Sequence, residues 1–200
     1  MEKYVITIAR QFGSMGRPIA KLLAQDLGIE YYDRDIVEAA AKNMGLPISL
    51  VSEEEEKYKQ RYFNMKFPLG RDTIDMQEQI FQAQKQVILN LAEKESCIIV
   101  GRCSDYILQY MPNHLNIYIY APYEKRLENC VKLLHMEQEE AERMIVEVDR
   151  AREFYHKRFT RTTMEDVTYK NLMIDSSLLG VEGTVKALSY IVRMMIQKDA

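Results

Sequence analysis

The stretch 3–19, KYVITIARQFGSMGRPI, constrains the fold of this chain more than any other, because it reads as a buried strand, a glycine loop and a helix start in immediate succession. Val5, Ile6 and Ile8 are the β-branched apolar run of an interior parallel strand, and Gly13 and Gly16 give the backbone freedom of a tight turn. Pro18 suits the first turn of a helix, where its missing N–H is not needed. Ile19, Leu22, Leu23 and Leu27 then recur at helical spacing up to Gly28. A strand, a loop with exposed N–H groups and a helix N-terminus together make a phosphate-binding site. The alternative is a tight strand-to-helix turn with no ligand.

The loop does not match the pattern G-x-x-x-x-G-K-[ST]. With Gly16 on its second glycine, Gln11 replaces the first glycine, Arg17 the lysine and Pro18 the hydroxyl residue. Aligned strand to strand instead, Gly13 falls on the middle glycine of G-x-x-G-x-G-K, Gly16 on the lysine, and Arg17 one place late. Neither register puts a hydroxyl at the magnesium-ligand position.

Two hundred residues with an apolar share of 47% predict one domain with a real core. A net charge of −3 argues against a general nucleic-acid binder, so any anion site must be built locally. Cys97, Cys103 and Cys130 are odd in number and widely spaced, as expected of reduced thiols in a cytoplasmic protein. Neither a signal peptide nor a membrane span is indicated. His114, His135 and His156 are not paired with cysteine or carboxylate at ligand spacing, so no protein-held metal is expected.

Further along, 29–33 reads as a short strand ending in Asp33, with a helix over 36–44. Ligands of α/β sheets lie at the carboxyl ends of strands, so Asp33 is a candidate site residue; equally, Asp33 or Asp35 can cap that helix. Residues 49–59 carry a capping box at Ser52 and Glu55, and 62–72 are loop-like. A long helix is expected over 73–94, and a buried strand over 96–101 that ends in Gly101-Arg102-Cys103-Ser104-Asp105. Gly101 lets the chain turn there, delivering Arg102 and Asp105 to the rim of Gly13 and Asp33. Arg102 can hold a phosphate or base edge by paired hydrogen bonds, or bridge to a carboxylate such as Asp33. A strand over 114–120, a helix over 123–135, a highly charged segment over 137–161, a last strand over 168–176 and a closing helix over 184–197 complete the chain. Arg143, Arg150 and Lys157 lie seven apart on one helix face, the pattern of an ordinary salt-bridged surface helix. Strands alternating with helices predict an α/β three-layer sandwich around a five-stranded, mainly parallel sheet.

Taken in order, ITIARQFGSMGR, LGIEYYDRDI, IIVGRCSDYIL, IYIYAPYEKR, VDRAREFYHKRF and YKNLMIDSS resemble the cytidylate kinases, and more closely the cytidylate-kinase-like proteins of bacteria. The resemblance implies a single P-loop kinase domain over 1–200, with an insert at about 45–72 near the acceptor site and a helical lid at about 136–162. It implies ATP with Mg2+ as cofactors, and small-molecule nucleotides as partners in the cytoplasm, and leaves a homo-oligomer open. Gly13, Ser14, Met15, Gly16 and Arg17 would be the phosphate loop, Asp33, Arg102 and Asp105 the acceptor side, and Arg150, Arg152 and Arg158 the lid arginines acting with Arg17. The departures are the missing lysine and hydroxyl, Met15 within the loop, and Cys103 where cytidylate kinases carry an aspartate after Gly-Arg. Two functions stand: a kinase transferring the γ-phosphoryl group of ATP to CMP or a related nucleotide, and a binding module that keeps the anion pocket without efficient transfer. A nicotinamide-dependent enzyme lacks its G-x-G-x-x-G signature here.

Overall fold

The computed structural model describes residues 3–33, 35–45 and 71–198. The expected insert at about 45–72 and its capping box lie almost wholly outside the described residues. The strands are β1 (Val5–Arg10), β2 (Glu30–Tyr32), β3 (Cys97–Val100), β4 (His114–Tyr120) and β5 (Leu172–Asp175). The helices are α1 (Gly16–Leu27), α2 (Asp35–Met44), α3 (Arg71–Lys94), α4 (Ser104–Ile107), α5 (Tyr123–Lys132), α6 (Gln138–Thr160) and α7 (Ser176–Lys198).

The sheet order is β2-β3-β1-β4-β5, and all four pairings are parallel, which sharpens the expected mainly parallel sheet. Parallel neighbours need crossovers, and the helices between the strands supply them. Side chains alternate along each strand and so feed two cores. Ile6, Ile8, Ile98, Val100, Ile117 and Ile119 pack on one face with Ile19 and Leu23 of α1 and Leu188 and Val192 of α7. Val5, Cys97 and Ile99 pack on the other with Ile36 of α2 and Val87 and Ile88 of α3. This is the P-loop kinase arrangement, with β1 central and its carboxyl end opening onto the glycine loop.

Three boundaries differ from expectation for local reasons: the last strand, expected from 168, starts at Leu172, because Val167–Tyr169 form a 3-10 turn capped by Asp166. The helix after β4, expected to reach 135, stops at Lys132, and Leu134 beyond it is 43% exposed. The closing helix starts at Ser176, because Ser177 N–H is capped by Asp175 at 2.8 Å, and a break at Gly180 (φ 65°) splits it where the sequence shows glycine. Among the described residues no helix is long and apolar enough to cross a membrane.

Candidate functional site

The loop between β1 and α1 turns through Gly13 and Met15, both with positive φ (76° and 59°). No side chain caps α1, so its first N–H groups are directed at the loop mouth together with the positive end of the helix dipole. The hydroxyl of Ser14, a residue of the expected phosphate loop, is turned inward. It donates to the carbonyls of Gln11 (2.9 Å) and Ile119 (3.1 Å), while the Ser14 carbonyl accepts from Ser176 Oγ at 2.7 Å. The Ser14 side chain therefore fixes the loop to β4 and its carbonyl fixes it to α7, which leaves its N–H for ligand.

Two later helices brace the loop from outside. Asn129 of α5 donates to the Gly13 carbonyl at 2.9 Å, and Arg126 donates to the Phe12 carbonyl at 3.3 Å. Asp149 of α6 accepts the Phe12 N–H at 2.7 Å and pairs with Arg126. Arg152, one turn on, donates to the Arg10 carbonyl at 3.2 Å, with its guanidinium 6.0 Å from the Phe12 ring centroid. The segment expected as a lid thus lies against the phosphate loop. Burial pushes the Asp149 carboxyl up, against the opposing effect of Phe12 N–H and Arg126.

The three expected lid arginines separate. Arg152 alone continues the buried stripe Ala141, Ile145, Val148 and His156 and reaches the loop. Arg150 is on the exposed face with Arg143 and Lys157, and Arg143 pairs with Glu147 there at 3.4 Å, as a surface helix would. Arg158 stands 5.4 Å from the ring centroid of Phe159, which stacks on Phe81 of α3 at 4.1 Å.

At the end of β2, Asp33 is buried and meets Arg17 Nε at 2.5 Å and Arg10 Nη2 at 4.0 Å, with Tyr31 donating at 3.3 Å. Among the arginines Asp33 pairs most closely with Arg17, a partner the sequence reading did not name for it. Arg102 follows Gly101 at the end of β3, and its charge acts on both Arg10 and Arg152. Burial above all, with Arg152, Arg17 and Arg102 around it, pulls the Arg10 guanidinium down to about 9, and Asp33 acts in the opposite sense. A guanidinium keeps its proton at neutral pH even there, so the site holds a buried cation in a positive field. Arg152 is lowered too, again by burial first.

Asp105, expected at the acceptor rim, is displaced from it. It lies buried behind the β3 end, bound by His156 Nε2 at 3.1 Å and Lys170 Nζ at 2.5 Å. Burial alone would raise its carboxyl, but those two partners hold it well below the usual carboxylate range. Cys103, beside it, is pushed well up by burial and by the Asp105 charge, so it is an inert thiol.

The sequence reading missed Arg10, Arg126 and Asp149. Arg10 carried one signal, an arginine directly ahead of the glycine loop where a strand exits; Arg126 and Asp149 carried none, being 114 and 137 positions from Phe12.

A model of the cytidylate kinase-like family matches residues 5–178, nearly the whole of this site and its sheet. The chain belongs to that family. The cytidylate kinase of Methanocaldococcus jannaschii is 22% identical over 188 residues, spanning 92% of this chain and 95% of the relative. An uncharacterized protein from Eubacterium ventriosum superposes with a TM-score of 0.70 at 22% identity, covering 98% and 99% of the two chains. Shikimate kinase from Bacteroides thetaiotaomicron gives 0.56 at 11% identity, over 95% and 98%. At these identities the structural likeness is one of fold. In the strand-to-strand register the chain carries Gly16 where a P-loop has lysine, and in the other register Arg17 takes that place.

Proposed function

We propose that the protein is a nucleotide kinase that transfers the γ-phosphoryl group of ATP to CMP or a related small nucleotide. The observation that carries this reading is the convergence of Arg10, Arg17 and Arg152 on the glycine loop and helix start, with Asp33 among them. Phosphoryl transfer asks the protein mainly to position two substrates and to neutralise charge on the moving group. Backbone N–H groups at the start of α1 and the loop arginines would hold the phosphates of the donor. Asp33 and Arg102, at neighbouring strand ends, would orient the acceptor.

Magnesium bound to the nucleotide would neutralise phosphate charge. The loop offers it no hydroxyl, since Ser14 is turned to Ile119, and among the described residues no three His, Cys, Asp or Glu side chains group to hold a metal. These residues do not fit the usual ligand set.

The test is a coupled ADP-release assay across the common nucleoside monophosphates. ADP release above background with CMP or a related acceptor is expected, and Arg152→Ala should lower kcat/KM by roughly 10²-fold or more if it contacts the transferring group. Because Arg152 touches the loop before any ligand arrives, its loss should raise the KM for ATP as well. Nucleotide binding with no release for any acceptor would leave the binding module.

A further inference from the structure

In the strand-to-strand register, Gly16 stands where a P-loop carries its lysine. We infer that Arg10, from the end of β1, supplies the missing loop cation and binds the polyphosphate of the donor directly. The inference rests on the kinase reading of the site and names the residue that makes its central contact.

Two glycines from different parts of the chain clear a path for this one side chain. A Cβ placed on Gly16 would lie 2.7 Å from Arg10 Cβ and 3.0 Å from Arg10 Cγ, so the stem of Arg10 fills the space where a side chain at position 16 would begin. A Cβ on Gly101, at the end of the neighbouring β3, would lie 2.5 Å from Arg10 Nη1. Lysine at position 16 and arginine at position 10 are therefore mutually exclusive, and this chain has the arginine.

Its surroundings favour an anion. The Arg10 side chain is 11% exposed, and the carboxylate it meets among the described residues, Asp33, is 4.0 Å away. That carboxylate is held much more closely by Arg17, at 2.5 Å, and the Arg17 side chain is 57% exposed. Arg17 thus lies at the outer side of the pair and Arg10 at the inner side, beside the loop. Burial among other arginines makes an approaching phosphate more favourable for Arg10 than for an exposed cation, since the attraction is less screened. A guanidinium also offers paired donors to two phosphate oxygens, where an ammonium would act as a point charge.

The experiment uses the full chain with inorganic tripolyphosphate and with ADP as probes, in titration calorimetry and in thermal unfolding with and without probe. Variants are Arg10→Gln, Arg10→Lys and Arg17→Gln, with Lys125→Gln as an exposed control that pairs only with Glu128 among the described residues. Arg10→Gln should weaken tripolyphosphate roughly tenfold or more, as expected for losing a charged hydrogen bond. Arg10→Lys should fall between it and the wild type, Arg17→Gln should lose less than Arg10→Gln, and Lys125→Gln should match the wild type. A bracing role alone would change the probe-free midpoint of Arg10→Gln and leave the probe-induced increment intact, which overturns the inference. So does an Arg17→Gln loss larger than that of Arg10→Gln. Should Arg10→Gln fail to fold, Arg10→Lys decides: unchanged affinity overturns the inference, and reduced affinity with a wild-type midpoint supports it. A wild type that binds neither probe removes the kinase reading and the inference together, whereas binding that ignores position 10 removes the inference alone.

Discussion

Replacing Asp33 with asparagine keeps the side chain's size and removes a negative charge shared by Arg10 and Arg17. Without it the two guanidinia repel, so the free protein should lose on the order of 1 kcal/mol in urea unfolding, a modest figure because Arg17 is largely solvated. Polyphosphate, which would then supply the counter-charge that Asp33 gave the pair, should bind a few-fold tighter by calorimetry. Weaker binding would mean that Asp33 organises the arginines more than it competes with phosphate. Single residues were legible in the sequence in proportion to how local their partners are. Asp33 and Arg17 were found because strand ends and helix starts mark themselves. Arg152 could have been separated from Arg150 and Arg158, since it alone falls in phase with Ala141, Ile145 and Val148. Arg10 showed only its place ahead of the glycine loop, because what defines it is space left by Gly16 and Gly101, a contact across 91 positions in the second case.

At the scale of elements, the buried group of Asp105, His156 and Lys170 ties three segments together: the start of α4, the end of α6 and the approach to β5. The Lys170 side chain is 1% exposed, so its charge depends on Asp105. Asp105→Asn should cost about 3–5 kcal/mol in urea unfolding, the range for stranding one member of a buried pair. Lys170→Met should cost less, because Asp105 keeps His156, and the apolar stem of methionine fills much of the lysine's space. Equal losses would show that packing, and not the stranded charge, sets the cost. The elements themselves were largely legible: five strands, the glycine loop and the long charged helix all follow from apolar period and punctuation. What was not legible was how α6 lies. A helix with one buried stripe and a charged exterior can dock anywhere its stripe fits, and it is Asp149 on the Phe12 N–H that fixes it to the loop. Asp105 was misplaced for the same reason, its partners being 51 and 65 positions away.

At the scale of the whole molecule, stability should fall with pH in two separate steps, each from a group that the fold buries in one protonation state. His114 opens β4, and its Nε2 is 2.7 Å from the hydroxyl of Thr7, a fully buried residue of the central strand. With the ring also bonded to the Leu108 carbonyl, the neutral form is the one the site accommodates: one nitrogen donates to the carbonyl and the other accepts the hydroxyl. Burial lowers the His114 pKa from 6.5 to about 4; Asp105 and the Leu108 carbonyl oppose this and Lys170 adds to it. The folded state therefore binds its proton later than the unfolded chain does. The stability this contributes is fully present above about pH 6.5 and is lost as pH falls from there toward 4, up to ~3 kcal/mol in all. Asp105 acts below that window. Its folded pKa is depressed, so its contribution is present above the ordinary carboxylate range and is lost only in stronger acid. Urea unfolding at pH 7.5, 6.5, 5.5 and 4.5 separates the two, because Asp105 keeps its charge across that span. His114→Gln should be less stable at pH 7.5, where it loses a fitted ring, yet its stability should fall less between pH 6.5 and 4.5 than that of the wild type. A variant whose slope in that span equals that of the wild type would assign the loss to other groups, and would show that the Thr7 contact tolerates a charged ring.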